Sequence, residues 1–413
     1  MRSVCILGVL LSAGWAAAAE PPPAPVGKPP VRAITVFVDL DAARYAQQVE
    51  ASIKQLRQAQ ALFEQAGFTV QTVRITTQPF MRYAGSLPRA QALALLKDLG
   101  HIGHQGNMMV NIGPAVLDDQ PDPRALDLLE AVQSGPEAPN ASMHIAGEDG
   151  IHWHAVRAAA HHIVQVAARS PHGEGTFAFA ATAMLGPGAP FNPGSWHDGE
   201  AGRFSVGLES ANVVAAVFAR AHGDAPRAIG ELRAALADYA QQVERIARAI
   251  EARTGLKYWG FDSTPAPEKG ASIGAALEAF AGTRIGTPGT LTAAYVITAA
   301  QKQLPGPRVG YGGLMVPVME DERLAQRWSE GAISLDSLLS YSSVCGTGLD
   351  TVPLPGDVTE AQVARIVGDV AVLAYKWRKP LTARLQPDPG RKAGQMSTFA
   401  DPLLANARLQ AVR

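Results

Sequence analysis

The sequence predicts one large α/β unit. From residue 33 onward, short apolar segments rich in β-branched residues alternate with longer segments of helical period. This alternation is typical of parallel βαβ units, in which helices cover a sheet. Loops rich in Gly and Pro follow several predicted strands, where a parallel α/β fold places its active-site rim. No linker divides residues 31–413, so we predict a single domain over that range.

The elements follow from hydrophobic period and from end signals in order along the chain. The predicted strands span residues 33–38, 68–75, 108–112, 142–145, 176–182, 204–208, 258–262, 314–319 and 381–386. The predicted helices span residues 39–67, 89–99, 123–132, 151–168, 211–221, 226–252, 272–280, 288–303, 334–342 and 359–376. Thr287 is the expected N-cap of the helix that starts at Pro288. From Pro387 onward, Pro, Gly and polar residues predict a long ordered tail.

The first 30 residues differ from the rest of the chain. Arg2 precedes an apolar core at residues 4–15, and small residues follow at 16–19, which together indicate a signal peptide over residues 1–19. Residues 20–30 form a Pro-rich linker. The apolar core is too short to span a bilayer. We therefore expect an exported protein, in a periplasm, with no membrane span in the mature chain.

Composition excludes some partners. The 413 residues carry 36 Lys and Arg against 37 Asp and Glu, without a block of like charge. This balance argues against a dedicated nucleic-acid binder. Of the two cysteines, Cys5 lies in the predicted signal peptide, so the mature chain keeps Cys345 alone and forms no internal disulfide.

Two loops in the middle of the chain place titratable groups after predicted strands. Residues 186–197 end in His197, a candidate general base, and Glu209 closes the next strand as its partner or as an acid. Packing of Trp196 and His197 against the body is the alternative. Residues 260–272 hold Asp262, Ser263 and Glu268 before a helix start, a combination that binds a metal or an anion or forms a hydrogen-bonded turn.

A third loop, residues 341–357, carries Cys345 between Ser342-Ser343 and Gly346-Thr347-Gly348, with Asp350 farther along. A thiol beside backbone N–H groups or an imidazole is a nucleophile at neutral pH. We expect Cys345 to line the central pocket near Asp262 or His197. A small buried core residue is the competing interpretation, since free Cys is usually buried.

Eight segments together resemble one family, the domain-of-unknown-function 711 group, also called uncharacterised protein family 0210. The matching segments are VRITTQPF, FAFAATAMLGPGAPFNPGSWH, FSVGLE, FDSTPAPEKGASIGAALE, GTPGTL, YGGLMVPVMED, SYSSVCGTGLDTVPLPGD and KPLTARLQPDPGRKAGQMSTF. The resemblance covers about residues 31–410. It implies a fold similar to the ten-stranded α/β barrel of pyruvate formate-lyase-like proteins, with Cys345 as counterpart of the cysteine on their central loop. A glycyl-radical motif is absent, so the resemblance implies no radical chemistry.

These observations give a functional expectation. We expect an exported enzyme that acts on a small polar or anionic metabolite in a central pocket; a periplasmic ligand-binding protein is the alternative. The expected catalytic residues are His197, Glu209, Asp262, Glu268, Cys345 and Asp350. The expected substrate-binding residues are Ser263, Thr347, Arg384 and Lys392, of which the two cations would hold an anionic group or form salt bridges on the tail. A divalent metal and a homo-oligomer are compatible with the sequence.

Overall fold

The computed structural model describes residues 27–267 and 271–412. The predicted signal peptide, most of the predicted linker and Glu268 lie outside these residues. The strands are β1 Val31–Val38, β2 Val70–Thr77, β3 Met109–Val116, β4 Asn140–Gly147, β5 Gly150–Ile151, β6 Phe179–Ala183, β7 Arg203–Leu208, β8 Lys257–Asp262, β9 Gly348–Pro355 and β10 Leu381–Asp388. The helices are α1 Tyr45–Gln65, α2 Met81–Ala84, α3 Arg89–Gln105, α4 Pro123–Gln133, α5 Trp153–Arg169, a 3₁₀ helix Pro171–Ala178, α6 Ala211–Ala221, α7 Ala225–Thr254, α8 Ile273–Ala281, α9 Thr290–Gln301, α10 Glu322–Ser329, α11 Leu335–Ser342 and α12 Glu360–Trp377.

All ten strands belong to one sheet, and helices surround it. The strand order is β8-β7-β1-β2-β3-β4-β6-β10-β9, with β5 paired to β4. β1 to β4 and β6 are parallel to one another, whereas β7 and β10 run antiparallel to their neighbours β1 and β6. β1 and β10 lie in the same sheet, as the barrel expectation requires. The predicted α/β class with about ten strands is confirmed.

One irregular segment links the two edges of the sheet. Arg308 forms a β-bridge with Phe261 of the edge strand β8, and Pro317 forms one with Asp350 of the other edge strand, β9. Val318 N donates to the carbonyl of Asp350 over 3.0 Å. The sheet therefore curves until residues 308–317 span the gap between its edges, which brings side chains from distant strands together inside the curve.

β2 shows how the sequence divides the two faces of this sheet. Successive side chains of a strand point to opposite faces. Val73 and Ile75 belong to the main hydrophobic core, and the polar Thr72, Arg74 and Thr76 alternate with them on the concave face. Polar side chains therefore line the interior of the curved sheet, where they must form hydrogen bonds within the protein or to a ligand.

The loop after β6 fills much of this interior. The Pro190 carbonyl accepts a hydrogen bond of 2.8 Å from Thr35 Oγ1, and the Oγ atoms of Ser195 and Thr76 are 2.8 Å apart. Asn111 Nδ2 donates to the Pro193 carbonyl over 2.8 Å. Residues 185–197 are thus an internal plug, bonded to three strands, rather than a rim loop.

The structure corrects three local predictions. Residues 314–319 are not a strand, because among them only Pro317 forms a bridge. β9 lies where a loop is predicted, since Gly348, Pro353 and Pro355 are turn residues by composition. The helix expected at Pro288 begins at Thr290 with Gly289 as its N-cap.

The tail after β10 is ordered, as predicted. Met396 and Arg408 form an antiparallel bridge, and Gln410 Nε2 donates to the carbonyls of Trp328 and Ile333 over 2.8 Å each. Within residues 27–267 and 271–412, no helix has the length and hydropathy needed to cross a membrane.

Candidate functional site

Six charged side chains meet on the concave face of the sheet. We call them the arginine cluster: Arg32, Arg74, Arg384, Glu209, Glu320 and Asp350. Arg32 and Arg74 come from the adjacent strands β1 and β2, whereas Asp350 and Arg384 come from β9 and β10. Three strands, β3, β4 and β6, separate these pairs along the sheet, so only its curvature brings them together.

Four ion pairs connect five of the six groups. Arg32 Nη1 lies 3.1 Å from Glu209 Oε1, and Arg32 Nη2 lies 3.3 Å from Glu320 Oε2. Arg384 Nη1 lies 3.1 Å from Glu320 Oε1 and 2.8 Å from Asp350 Oδ1. Glu320 therefore bridges two guanidinium groups that belong to opposite walls.

Arg74 is the group that these ion pairs leave out. It is only 3% exposed. Nε donates to Thr72 Oγ1 over 3.0 Å and Nη1 to the Pro190 carbonyl over 3.5 Å, and no carboxylate of the described residues lies within salt-bridge distance. Burial, with Arg32 and Arg384 nearby, lowers the pKa of Arg74 to about 9, so the group remains cationic at neutral pH. Arg74 is thus a buried cation that contacts no counter-ion among the described residues.

Arg384 also keeps an unused donor. Its Nε is buried and has no hydrogen-bond partner within residues 27–267 and 271–412, while Nη2 donates to the Phe177 carbonyl over 3.3 Å and the guanidinium stacks 4.7 Å from the Phe177 ring centroid. Burial raises the pKa of Asp350 because it disfavours the charged carboxylate, and Arg384 opposes that effect. The cluster therefore offers donors to an anion.

Two cavities meet at this cluster. A small inner cavity of about 40 Å³ is lined by Tyr311, Thr347, Asp350, Thr382 and Met315 in addition to the arginines. An outer cavity of about 570 Å³ extends toward residues 100–110, 135–140 and 170–178. Arg32, Arg74, Asn192, Glu320 and Arg384 line both. An anion at the arginines would lie at their junction.

The structure brings four of the predicted residues together. Glu209, Asp350 and Arg384 belong to the arginine cluster, and Thr347 lines the inner cavity. Thr347 Oγ1 donates to the Leu314 carbonyl over 2.8 Å, so its hydroxyl proton is already used. The interpretation of Arg384 as an exposed salt-bridge residue on the tail does not describe its place in β10 inside the curve.

Asp262 and Ser263 lie in a closed structural turn instead. Asp262 accepts hydrogen bonds from the N–H groups of Thr264, Tyr311 and Gly312 and from Thr264 Oγ1, at 2.5 to 3.3 Å. The Ser263 carbonyl accepts from Ser210 Oγ and Gln301 Nε2. The turn ties β8 to the segment that links the sheet edges, which accounts for both residues without a ligand.

His197 is also separate from the cluster. It is buried at the end of the internal plug, edge-on to Phe37 with ring centroids 5.8 Å apart, and Nε2 lies 3.3 Å from the Val38 carbonyl. Burial lowers the pKa of His197, although Asp39 at 3.9 Å opposes this. The geometry matches the packing alternative.

Cys345 and Lys392 are not at the cluster either. Cys345 is fully buried and belongs to the main hydrophobic core, on the side where Lys379 Nζ donates to its carbonyl and to that of Ser342. The expectation that Cys345 lies near Asp262 or His197 has no contact to support it. Lys392 is exposed on the tail, where its N–H donates to Gln395 Oε1.

The sequence analysis missed Arg32, Arg74 and Glu320. Arg32 and Glu320 lie in or beside apolar segments, and Arg74 lies in a strand where Val and Ile alternate with Thr, so that a charged residue resembles an ordinary solvent-facing position of a half-buried strand. The available signal was two arginines, one just before the first predicted strand and one in the second, in a sheet whose outer face helices should cover. Among the described residues, no group of three or more His, Cys, Asp or Glu is arranged to hold a metal.

Relatives match most of the chain. A UPF0210 protein of Pyrobaculum islandicum is 30% identical over 84% of this chain and 80% of its own length. Another, from Pyrobaculum arsenaticum, is 32% identical over 81% of this chain and 77% of its own length. A UPF0210 protein of Methanocaldococcus jannaschii is 26% identical over 86% of this chain and 82% of its own length.

These relatives correct the functional expectation. The prediction of an exported enzyme with a metabolite pocket, or of a periplasmic ligand-binding protein, is contradicted, because the chain matches UPF0210 proteins of archaea and bacteria whose names describe neither. The segment that suggested export also precedes residue 27, where the family match begins.

One solved structure is similar over much of the chain. The anaerobic ribonucleotide reductase from Thermotoga maritima, in complex with dATP and CTP, matches 86% of this chain and 74% of its own, with 10% identity and a TM-score of 0.42. A family model described as "Uncharacterised ACR (DUF711)" matches residues 27–400, which confirms the resemblance found in the sequence. The chain belongs to the DUF711 family.

Proposed function

We propose that this protein binds a small anion, of the carboxylate or phosphate class, at the arginine cluster. The observation that carries the proposal is Arg74, a cation that is 3% exposed and touches no described carboxylate. Removing an ionised group from water costs several kcal/mol unless a partner of opposite charge compensates. A bound anion would be that partner.

The available donors support the same proposal. Nη2 of Arg74 donates to no described group, and Nε of Arg384 is buried without a partner. Guanidinium groups bind carboxylate and phosphate through paired charge-assisted hydrogen bonds. Both arginines line the junction of the two cavities, so one anion can receive donors from β2 and from β10.

Isothermal titration calorimetry with acetate and with inorganic phosphate tests the proposal. We expect one of the two to bind the unmodified protein. Arg74→Gln should raise the dissociation constant about 10–100-fold, because hydrogen bonds to charged groups contribute about 1.5–3 kcal/mol. Arg248→Gln is the matched control, since Arg248 is exposed and pairs only with Glu244 and Glu251 of its own helix.

Two outcomes would overturn the proposal. The first is that neither acetate nor phosphate binds at any concentration up to its solubility limit. The second is that Arg74→Gln binds the anion as tightly as the unmodified protein does. The circular dichroism spectrum and thermal unfolding of Arg74→Gln establish that the variant is folded, so that loss of binding is not loss of structure.

A further inference from the structure

The two ends of the outer cavity carry opposite charge. Its inner end is the arginine cluster, and the described residues that line the rest of it include no Lys or Arg. Three carboxylates and one imidazole lie there instead: Glu137, Glu174, Asp401 and His104. A ligand with only negative charge would meet repulsion at the mouth, whereas a ligand with a cationic trailing end would be oriented by both ends.

The 3₁₀ helix that lines the outer cavity gives a scale for the distance between the two charges of such a ligand. Arg384 contacts the carbonyl and the ring of Phe177, and Glu174 is three residues earlier in the same 3₁₀ helix. At a rise of about 2 Å per residue, Glu174 and Phe177 are about 6 Å apart along the helix axis. The outer cavity of 570 Å³ is large enough for a ligand of several residues' length. An α-amino acid carries both charges on one carbon and is too short.

The groups at the mouth are fixed enough to serve this role. Glu174 Oε1 accepts hydrogen bonds from the N–H groups of Ala400 at 2.6 Å and Asp401 at 3.2 Å. These bonds hold the tail segment of Asp401 against the 3₁₀ helix. Both bonds use Oε1, and Oε2, which accepts no hydrogen bond from the described residues, is available for an ammonium group.

We infer that the site takes a linear zwitterion of about dipeptide length, with its carboxylate at Arg74 and Arg384 and its ammonium group at Glu174 and Asp401. Two extended residues span about 7 Å, which matches the separation of the charged ends. The inference rests on the proposed anion site and adds the chemistry of the second end. A free dipeptide and an unbranched ω-amino acid share this chemistry.

Titration with three matched probes tests the inference. L-alanyl-L-alanine has both charges, its N-acetyl derivative has only the carboxylate, and its C-terminal amide has only the ammonium group. We expect the zwitterion to bind about 10-fold tighter than the N-acetyl derivative and the amide not to bind. In addition, 6-aminohexanoate distinguishes the two classes of ligand. If it binds as tightly as the dipeptide, the ligand is an ω-amino acid, and if it binds more weakly, the ligand is a peptide.

Variants of the mouth separate this inference from the anion site. Glu174→Gln combined with Asp401→Asn should reduce the preference for the zwitterion to less than 2-fold while the N-acetyl derivative binds as before. Glu148→Gln, at an exposed acid outside both cavities, is the control and should keep the full preference. In Glu174→Gln, the side-chain amide oxygen can still accept the hydrogen bonds from the two N–H groups of the tail.

The outcomes are distinguishable. If the N-acetyl derivative binds as tightly as the zwitterion, the inference is wrong and the anion site stands. If acetate, phosphate and all the peptide probes fail to bind, the anion site itself is wrong. If the preference for the zwitterion persists in the double variant, the ammonium group does not lie at the mouth and the inference is again overturned.

Discussion

Two charged centres lie inside the curved sheet, and they differ in how completely their polar atoms are used. The Asp262 carboxylate accepts four hydrogen bonds from one turn and the segment opposite it. In the part of the chain that the structure describes, Arg74 of the arginine cluster contacts no carboxylate and Nε of Arg384 has no hydrogen-bond partner. A saturated centre stabilises the fold, whereas an unsaturated one leaves donors for a ligand. Burial alone does not separate these roles, since both centres are buried.

The largest expected effect is at the saturated centre. Asp262→Ala leaves three backbone N–H groups and one hydroxyl buried without their acceptor, and each unsatisfied group costs about 1–3 kcal/mol. We expect the free energy of unfolding, measured with urea, to fall by about 4 kcal/mol or more. Asp262→Asn keeps one oxygen acceptor and should lose less. A loss below about 1 kcal/mol in Asp262→Ala would contradict a structural role.

The next largest expected effect is a loss of stability at acidic pH, which is caused by the buried imidazole of His144. Burial lowers the pKa of His144 to about 4, with His152 as a smaller cause. The unfolded chain binds this proton from about pH 6.5 downward and the folded chain does not, so stability is lost as the pH falls from 6.5 to 4. The shift corresponds to about 3 kcal/mol. Urea titrations at several pH values should show a flatter profile for His144→Gln; an unchanged slope would contradict the assignment.

A substitution in the arginine cluster, the unsaturated centre, should change stability in the opposite direction from Asp262→Ala. Arg74→Met removes a buried charge that has no counter-ion in contact among the described residues, so the variant no longer bears the several kcal/mol that taking such an ion out of water costs. We therefore expect the melting temperature of the ligand-free protein to stay level or rise. Added anion should stabilise the unmodified protein but not the variant. A large loss of stability in Arg74→Met without ligand would show that Arg74 is structural, like Asp262.

The smallest effect is expected at Cys345. The thiol is fully buried in the main core, so iodoacetamide should alkylate the folded protein far more slowly than the protein in urea, as detected by mass spectrometry. Cys345→Ala should keep anion binding within 2-fold. Alkylation of the folded protein at the rate of an exposed thiol would instead restore Cys345 as a reactive group.

The sequence predicts the elements of this fold better than its centres. The helix from Ala211 to Ala221 has the predicted bounds, and eight of the nine predicted strands form. β9 was missed because Pro353 and Pro355 are atypical of a strand interior, and it carries Asp350. The hydrophobic period of a segment also does not show which distant segments meet in the folded sheet. The contact between Arg32 and Glu320, which are 288 residues apart in the chain, is an example.

The sequence did not separate the predicted site residues that lie at the arginine cluster from those that do not, for a related physical reason. Asp262 is the last residue of one predicted strand and Glu209 directly follows another, yet the first is saturated by its own turn and the segment opposite it, and the second contacts Arg32. Spacing identifies which residues end a strand, and it does not show which donors surround them. The plug at residues 185–197 illustrates this: its Gly and Pro residues predict a loop at the rim, and the loop occupies the interior.

Anomalous diffraction from crystals soaked in selenate tests the central claim most directly, because the oxyanion reports its own position. We expect a selenium peak at the junction of the two cavities, within about 4 Å of the guanidinium groups of Arg74 and Arg384, and its loss in crystals of Arg74→Gln. A peak that persists in the variant, or selenate bound only elsewhere on the protein, would contradict an anion site at the arginine cluster.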